Sequence, residues 1–254
     1  MRICVAEDTP APRKPDAVFP NNWVSWHHDG TVVLYPLQAR SRRPERRPEL
    51  LEAAEQQAGF RRRRLIDLSG YEREHRYLEG TGSLVLDHGR GIAYASRSPR
   101  TDERLAAEWA ALMHYECIAF HARAADGTVP YHTNVLLAIG THWTIVCSSA
   151  IEPADRDRVL ASLAASGRLV VDISLEAMQR FAANVLEVRA TDAGRCERRV
   201  LVMSGRAAAA LQAEPGHWSS LRGSVDEVLA VDVDAIEAAG GGSVRCMLAE
   251  IFAT

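Results

Sequence analysis

The chain has 254 residues, 47% hydrophobic and 25% charged, enough to bury a full core as one large domain or two small ones. A formal net charge of −3 leaves no basic footprint for nucleic acid or a membrane surface, even with the local run Arg61 to Arg64, and no stretch reads as a membrane span or secretory leader. Five cysteines, an odd number without metal-ligand spacing, point to a reducing cytoplasm rather than a disulfide framework or a metal site.

In chain order, Met1 to Ala6 reads as a strand that leaves through the proline-rich loop Pro10, Pro12, Pro15. Ala17 to Trp26 and Thr31 to Tyr35 then form a strand-turn-strand signal around His28-Asp29-Gly30, followed by a helix from Arg47 to Ala58 and a strand from Arg64 to Leu68. The same order returns. Tyr77 to Leu86 and Gly91 to Ala95 make a hairpin, Thr101 to Met113 a helix capped by Thr101 or Asp102, and Tyr115 to Phe120 a strand. A third unit runs through Tyr131 to Ile139, Trp143 to Cys147, a helix from Pro153 to Ala165, and Leu169 to Ile173.

After an extra helix, Leu175 to Ala182, a fourth unit runs through Asn184 to Val188, Arg199 to Met203, a helix from Ser204 to Leu211, and Val228 to Val233. The units recur about every 50 to 60 residues, the range of repeat architectures. They cover about 17–70, 77–121, 131–174 and 184–234. Residues 240–254 with 1–8 would supply a split fifth, for which a second strand and a helix are missing, so an N-terminal segment is expected to be absent. The whole of 1–254 reads as a single α/β domain of ββαβ repeats.

The stretch Gly240-Gly241-Gly242 leads into Val244 to Phe252, read as a strand with Cys246 at its mouth. Laid over one another, the first strands all open on polar groups: Asn21-Asn22, Glu79, His132 with Asn134, Asn184, and Cys246. In a pseudo-symmetric ring such strand ends converge, which would bring a cysteine, a histidine and a glutamate together. Read singly, Cys246 is a small buried hydrophobe and His132 a hydrogen-bonded structural histidine; their shared register favours a site.

Several segments resemble the pentein superfamily of guanidino-group-modifying enzymes, which includes arginine deiminases, dimethylarginine dimethylaminohydrolases and amidinotransferases. Leu78-Glu79-Gly80-Thr81-Gly82-Ser83-Leu84 is similar to its Glu-Gly-Gly-Asp segment and Ser98-Pro99-Arg100-Thr101 to its Ser-x-Arg-Thr turn. Ser41-Arg42-Arg43-Pro44-Glu45 resembles the Ser-Arg-Arg-Gly-Glu of the dimethylarginine hydrolases, and Gly242 to Met247 the cysteine-bearing C-terminus. Phe19-Pro20-Asn21-Asn22-Trp23 and Tyr131-His132-Thr133-Asn134-Val135 resemble the citrulline utilisation hydrolases most.

The resemblance implies a five-bladed α/β propeller with a central site, in which Cys246 is the nucleophile, His132 the general acid/base and Glu79 the carboxylate that orients substrate nitrogen and supports His132. Arg100 and Arg43 match positions that contact the substrate carboxylate, with Arg42 the poorer match. No metal or organic cofactor is implied, and the partner is a small ureido or guanidino amino acid; a homo-oligomer is compatible with this reading. Arginine deiminases carry aspartates at the positions of Asn22 and Asn134; two amides remove two negative charges and favour a neutral ureido substrate such as citrulline. An arginine deiminase or dihydrolase acting on guanidines is the alternative, and a non-catalytic scaffold binding amino acids or a protein is a third reading.

Among the other singled-out residues, Trp23, Trp26, Trp109 and Trp143 read as core, His27, His28 and His88 as turn neighbours, and Asp87 as an exposed turn acid. Cys4, Cys117, Cys147 and Cys196 read as structural or incidental thiols.

Overall fold

In the computed structural model, which describes residues 3–191 and 197–252, alternating apolar residues build four three-stranded sheets. Val24–Trp26 (β1) and Thr31–Leu34 (β2) pair antiparallel, Val24 opposite Leu34 and Trp26 opposite Val32. Asp29 closes their reversal by accepting the Thr31 amide at 2.9 Å, and Gly30 adopts the left-handed φ of 85° that a β-carbon would oppose. The helix Pro48–Ala58 (α1) begins on a proline, whose missing N–H costs nothing in a first turn, and the chain returns as Arg64–Asp67 (β3), parallel to β2.

The next unit opens with the short helix Gly80–Ser83 (α2) and continues through Val85–Asp87 (β4), Ile92–Ser96 (β5), Glu103–Met113 (α3) and Glu116–Phe120 (β6). Asp102 caps α3, its carboxylate accepting the Leu105 amide at 2.7 Å. The third unit comprises Leu137–Ile139 (β7), Trp143–Val146 (β8), Pro153–Ala164 (α4) and Leu169–Asp172 (β9). Leu175–Gln179 (α5) bridges to Leu186–Thr191 (β10), Glu197–Ser204 (β11), Gly205–Gln212 (α6), Pro215–Gly223 (α7) and Glu227–Val231 (β12), and Asp234–Gly240 (α8) follows. In every unit the first two strands pair antiparallel and the third runs parallel to the second.

The middle strands β5 and β8 are buried along their whole length, whereas β3 is largely exposed. One apolar cluster joins α3 and β5 to Val33 and Tyr35 around the fully buried Trp109, and another runs from β7 and β8 to Leu201 and Met203 of β11. Truncating Trp109 would cost about 3–5 kcal/mol by this burial. Among the described residues no helix is long and apolar enough to cross a membrane.

Some expectations change. The strands expected from Ala17, Tyr77 and Tyr131 begin later, because a single helical turn precedes each: Pro20–Asn22, α2 and Thr133–Val135. Val244–Met247, expected to open a strand, is likewise a 3-10 turn, and residues 248–252 run on without pairing; Ala249 and Ile251 pack beside Trp23 and Leu51. Residues 3–6 form no strand, and Met1, Arg2 and Cys196 lie outside the described residues. Asp87, read as an exposed turn acid, is buried and holds Arg168 through two bonds of 2.6 and 2.9 Å, tying the second unit to the third.

Candidate active site

The one-turn helices place the polar residues. Each turn ends just before a buried strand, so its side chains stay at the strand head while the following residues enter the core. The turns are bonded in succession: the Asn21 side chain donates to Thr81 Oγ1 at 3.3 Å, Asn134 Nδ2 to the Thr81 carbonyl at 3.3 Å, Asn184 Nδ2 to the Asn134 carbonyl at 3.1 Å, and the Arg245 amide to the Asn184 carbonyl at 3.4 Å. Phe19 completes the series by lying against Gly240 and Gly242, where an added β-carbon would come within 2.8 and 2.9 Å of its ring.

This succession brings Glu79, His132 and Cys246, far apart in sequence, into one neighbourhood, and all three are buried. His132 Nε2 lies 2.8 Å from Glu79 Oε2, and the other carboxylate oxygen accepts the Gln38 amide at 3.0 Å. Bonded to an ionised carboxylate, Nε2 carries the proton, which leaves Nδ1 as the basic nitrogen; it is buried and has no hydrogen-bond partner.

Desolvation is the largest influence on His132 and pushes its proton affinity down, and the guanidinium groups of Arg100 and Arg42 add to this against the opposing pull of Glu79; the net shift is downward and the ring is neutral at neutral pH. For Glu79 desolvation again acts first and raises the carboxyl, but the bond to His132, the ring's charge whenever it is protonated, and the charge of Arg100 outweigh it and hold the group below the usual carboxylate range.

Cys246 sits on the turn after Ser243, whose hydroxyl donates to Glu237 at 2.6 Å. Its sulfur is approached by two amides, Asn184 Nδ2 at 3.2 Å and Asn134 Nδ2 at 3.5 Å. Asn22, on the facing side, accepts Arg42 Nη1 at 2.7 Å through its carbonyl oxygen. Gly82 separates the two sides: a β-carbon there would lie 2.6 Å from Asn22 Nδ2 and 2.8 Å from His132 Nδ1, so only glycine allows this approach.

A cleft of about 330 Å³ opens onto these groups and is walled by Asp16, Phe19, Arg42, Arg100, Tyr131 and the glycine run 240–242. A larger open groove of about 810 Å³ between Ser148-Ser149 and Glu214 to His217 contains none of the expected residues. Among the described residues no group of three or more His, Cys, Asp or Glu side chains is arranged to hold a metal ion.

Of the residues expected at a site, Cys246, His132, Glu79, Asn22, Asn134 and Arg100 are brought together. Arg100 is a third exposed, lies 3.5 Å from Glu79 Oε2 and stands over the Tyr131 ring at 5.4 Å. Arg43 is not part of the cleft wall. Its guanidinium is held by Glu72 at 3.0 Å and by the Leu37 carbonyl at 3.2 Å. Arg42, its neighbour on the turn Arg40–Glu45, takes the place instead, clamped by Glu45 through bonds of 3.0 and 2.9 Å. The i,i+3 spacing of Arg42 and Glu45 was the available signal. Asn184 was in register with the site residues but not counted among them. Tyr131 had no signal beyond standing before His132; its hydroxyl donates to the Gly241 carbonyl and its proton is held tightly, first by burial and then by the neighbouring Cys246.

Solved structures share this fold. The N-terminal domain of ArgZ, an arginine dihydrolase of cyanobacteria, superposes with a TM-score of 0.67 at 16% identity over 96% of this chain and 79% of its own. AgrE, solved with L-arginine, gives 0.67 at 18% over 92% of this chain, which spans only 31% of AgrE. The dimethylarginine hydrolase of Pseudomonas aeruginosa, solved with citrulline, gives 0.61 at 19% over 92% of this chain and 76% of its own. At such identities the likeness is one of fold. No curated protein matches the chain by sequence. Residues 1–253 do match the eukaryotic N,N dimethylarginine dimethylhydrolase family, and the chain therefore belongs to that family, within the pentein superfamily.

Proposed function

We propose that the chain is a cysteine-dependent hydrolase of non-peptide C–N bonds in a ureido or guanidino amino acid, with Cys246 as nucleophile, His132 as acid/base and Glu79 as its partner. The observation that carries this reading is the unpartnered Nδ1 of a buried histidine, locked by a carboxylate on its other nitrogen, at the same cleft as a cysteine.

A carbon bearing three heteroatoms is a poor electrophile and calls for a soft sulfur nucleophile with proton transfer close by. The thiol proton passes to His132 Nδ1, and Glu79 stabilises the imidazolium. The sulfur bonds to the central carbon, the C–N bond breaks, and the imidazolium returns its proton to the departing nitrogen. Neutral His132 then takes a proton from water, whose oxygen adds to the carbon as the C–S bond breaks, and the proton ends on the released sulfur. Arg100, a third exposed on the cleft wall, is the residue we assign to the substrate carboxylate.

We assign citrulline as the first substrate, because Asn22 and Asn134 offer amides where a cation would want carboxylates, and the Arg42 guanidinium already occupies the Asn22 oxygen. The second reading, a guanidino substrate, is favoured by the family itself and by relatives solved with arginine. The proposed architecture is one domain over 1–254, a five-bladed α/β propeller whose fifth unit is split between 240–254 and 1–8; the succession of bonded turns supports it. Cys4, Cys117, Cys147 and Cys246 are unpaired, which accords with a cytoplasmic location.

Titration calorimetry of Cys246→Ala with citrulline and with arginine tests the substrate, since binding is then read without turnover. Tighter citrulline binding is expected, and Asn22→Asp with Asn134→Asp should reverse the order, each new carboxylate offering up to about 4 kcal/mol toward a guanidinium before its desolvation is subtracted. Tighter arginine binding by the protein with both asparagines in place overturns the citrulline assignment and makes the guanidino reading the better one.

A further inference from the structure

We propose that Asn184 is a catalytic residue whose side-chain amide stabilises the Cys246 thiolate that forms as the thiol proton passes to His132. The inference rests on reading Cys246 as the nucleophile.

The orientation of the amide is fixed by its partners. Asn184 Nδ2 stands 3.1 Å from the Asn134 carbonyl oxygen, which accepts and cannot donate, so the atom there is the nitrogen and its second hydrogen is free for the sulfur at 3.2 Å. Asn134 is fixed in the same way by the Thr81 carbonyl and turns its second hydrogen to the sulfur at 3.5 Å. The sulfur therefore receives two N–H donors. A thiolate accepts such bonds better than a neutral thiol, and in a site where Cys246 is only 3% exposed they offset the cost of burying the charge.

Asn184 is placed for this from both ends of its backbone, its amide donating to the Phe181 carbonyl at 2.8 Å and its carbonyl accepting from Arg245, next to Cys246. Its Oδ1 is buried without a partner. Through Nδ2 the same carboxamide ties the sulfur to the Asn134 backbone. An aspartate at this position would offer the sulfur no N–H, and an alanine would offer neither bond.

The ionisable groups that share the cleft with the sulfur are Tyr131, His132, Arg100, Arg42 and Asp16, with Glu79 bonded to His132. Arg245 is turned away to the Leu248 carbonyl and Glu250, and Glu237 lies under Ser243. All of these are unchanged by substitution at Asn184, so a change in cysteine titration in the uncharged Asn184→Ala reports on the amide.

The test is the rate of iodoacetamide alkylation of the Cys246 peptide across pH, followed by mass spectrometry, in the unsubstituted protein, Asn184→Ala and Asn184→Asp. The alkylation midpoint is expected to rise by about one pH unit in Asn184→Ala, about tenfold less thiolate at a given lower pH, and further in Asn184→Asp. Activity lost by Asn184→Ala at neutral pH should be recovered in part at higher pH, which a purely structural defect would not allow. Unchanged midpoints overturn the proposal; because the carboxylate of Asn184→Asp adds a charge of its own, the uncharged Asn184→Ala decides, and if it does not fold Asn184→Ser takes its place. Because alkylation needs no substrate, a shifted midpoint in a protein that turns over no ureido or guanidino compound leaves the amide contact standing and removes the hydrolase reading instead.

Discussion

Two buried histidines sit in different parts of this molecule, His27 in the interior of the first unit and His132 in the cleft. His27 bonds Ser25 at 2.8 Å, Ser25 bonds the Tyr35 hydroxyl at 2.7 Å, and that hydroxyl accepts the Trp109 indole at 2.9 Å. None of these four side chains leaves a buried polar atom without a partner, whereas His132 Nδ1 in the cleft, and Asn184 Oδ1 on the residue that bonds the Cys246 sulfur, have none. Desolvation lowers the proton affinity of both rings, but only His132 is hydrogen-bonded to a carboxylate; at His27 the charge of Asp29 is opposed by His88 and His28. Burial thus makes a histidine neutral, and a partnered glutamate lets it gain and lose a proton. The comparison separates a closed polar network, which supports packing, from an open one, which has room for chemistry.

Removing the sulfur breaks the open network most completely. Cys246→Ser should abolish turnover of the ureido or guanidino substrate, because oxygen at neutral pH is far less nucleophilic, while circular dichroism and the melting temperature stay close to those of the unsubstituted protein. Retained turnover would place the nucleophile elsewhere.

The next effect separates the two histidines. Glu79→Gln should lower kcat by about 10²–10⁴-fold, since the imidazolium loses its counter-charge, whereas His27→Gln should leave kcat unchanged. Equal rate losses would dissolve the distinction between the two networks. Steady-state kinetics on both variants, with folding checked by thermal melts, decides it.

Stability against pH probes the closed network. Burial lowers the pKa of His27 from 6.5 to about 4, so the unfolded chain takes up a proton before the folded one as pH falls. The contribution to stability is complete above about pH 6.5 and is lost progressively toward pH 4, about 3 kcal/mol in all. His132 shifts in the same direction and adds to the loss over the pH range below 6.5, and the lowered carboxyl of Glu79 adds its own below 4.5. Denaturant titrations between pH 7 and 4 should therefore show a steep fall that is flatter in His27→Gln; identical slopes would mean that His27 is not a neutral core residue.

The closed network was easier to read in the sequence than the open one. Hairpins such as β1 with β2 and helices such as α3 follow from alternation and 3.6-residue periodicity; the bounds of β2 and α3 lie within two residues of those expected, whereas the start of β1 lies at Val24 rather than Ala17 because the turn Pro20–Asn22 precedes it. The helical turns at the strand heads were read as strand because one turn is too short to show a period, and Phe19, Trp23, Leu78 and Val135 supply the apolar flanks that a strand would have. The helices α7 and α8 have no clear apolar period in the sequence, although Pro215 marks the start of the first.

Within the site, shared register was enough to group Glu79, His132, Asn134 and Cys246, because a repeat places equivalent positions alike. The distinction between Arg42 and Arg43 needs the direction of each side chain on a tight turn, and the Asp87–Arg168 pair joins residues 81 apart. Neither is present in local pattern.

The smallest expected effect is also the most selective, because it disturbs His132 without removing any of its partners. Gly82 stands between Asn22 and His132, and an added methyl would fall 2.6 Å from Asn22 Nδ2 and 2.8 Å from both His132 Cε1 and Nδ1, all closer than atoms can approach. Gly82 is not among the residues with positive φ, so the strain is steric, and its nearest contacts are those two side chains. Both are buried, and His132 is held by Glu79 at 2.8 Å, so neither can swing freely out of the way. Overpacking of this kind costs about 1–3 kcal/mol. If the open nitrogen of His132 is the one that handles the proton, Gly82→Ala should reduce kcat by about tenfold or more and shift the pH profile, since the methyl crowds Nδ1 itself while Nε2 keeps its bond to Glu79. If His132 instead only fills space as His27 does, the same variant should lower the melting temperature and leave kcat and its pH dependence as they were.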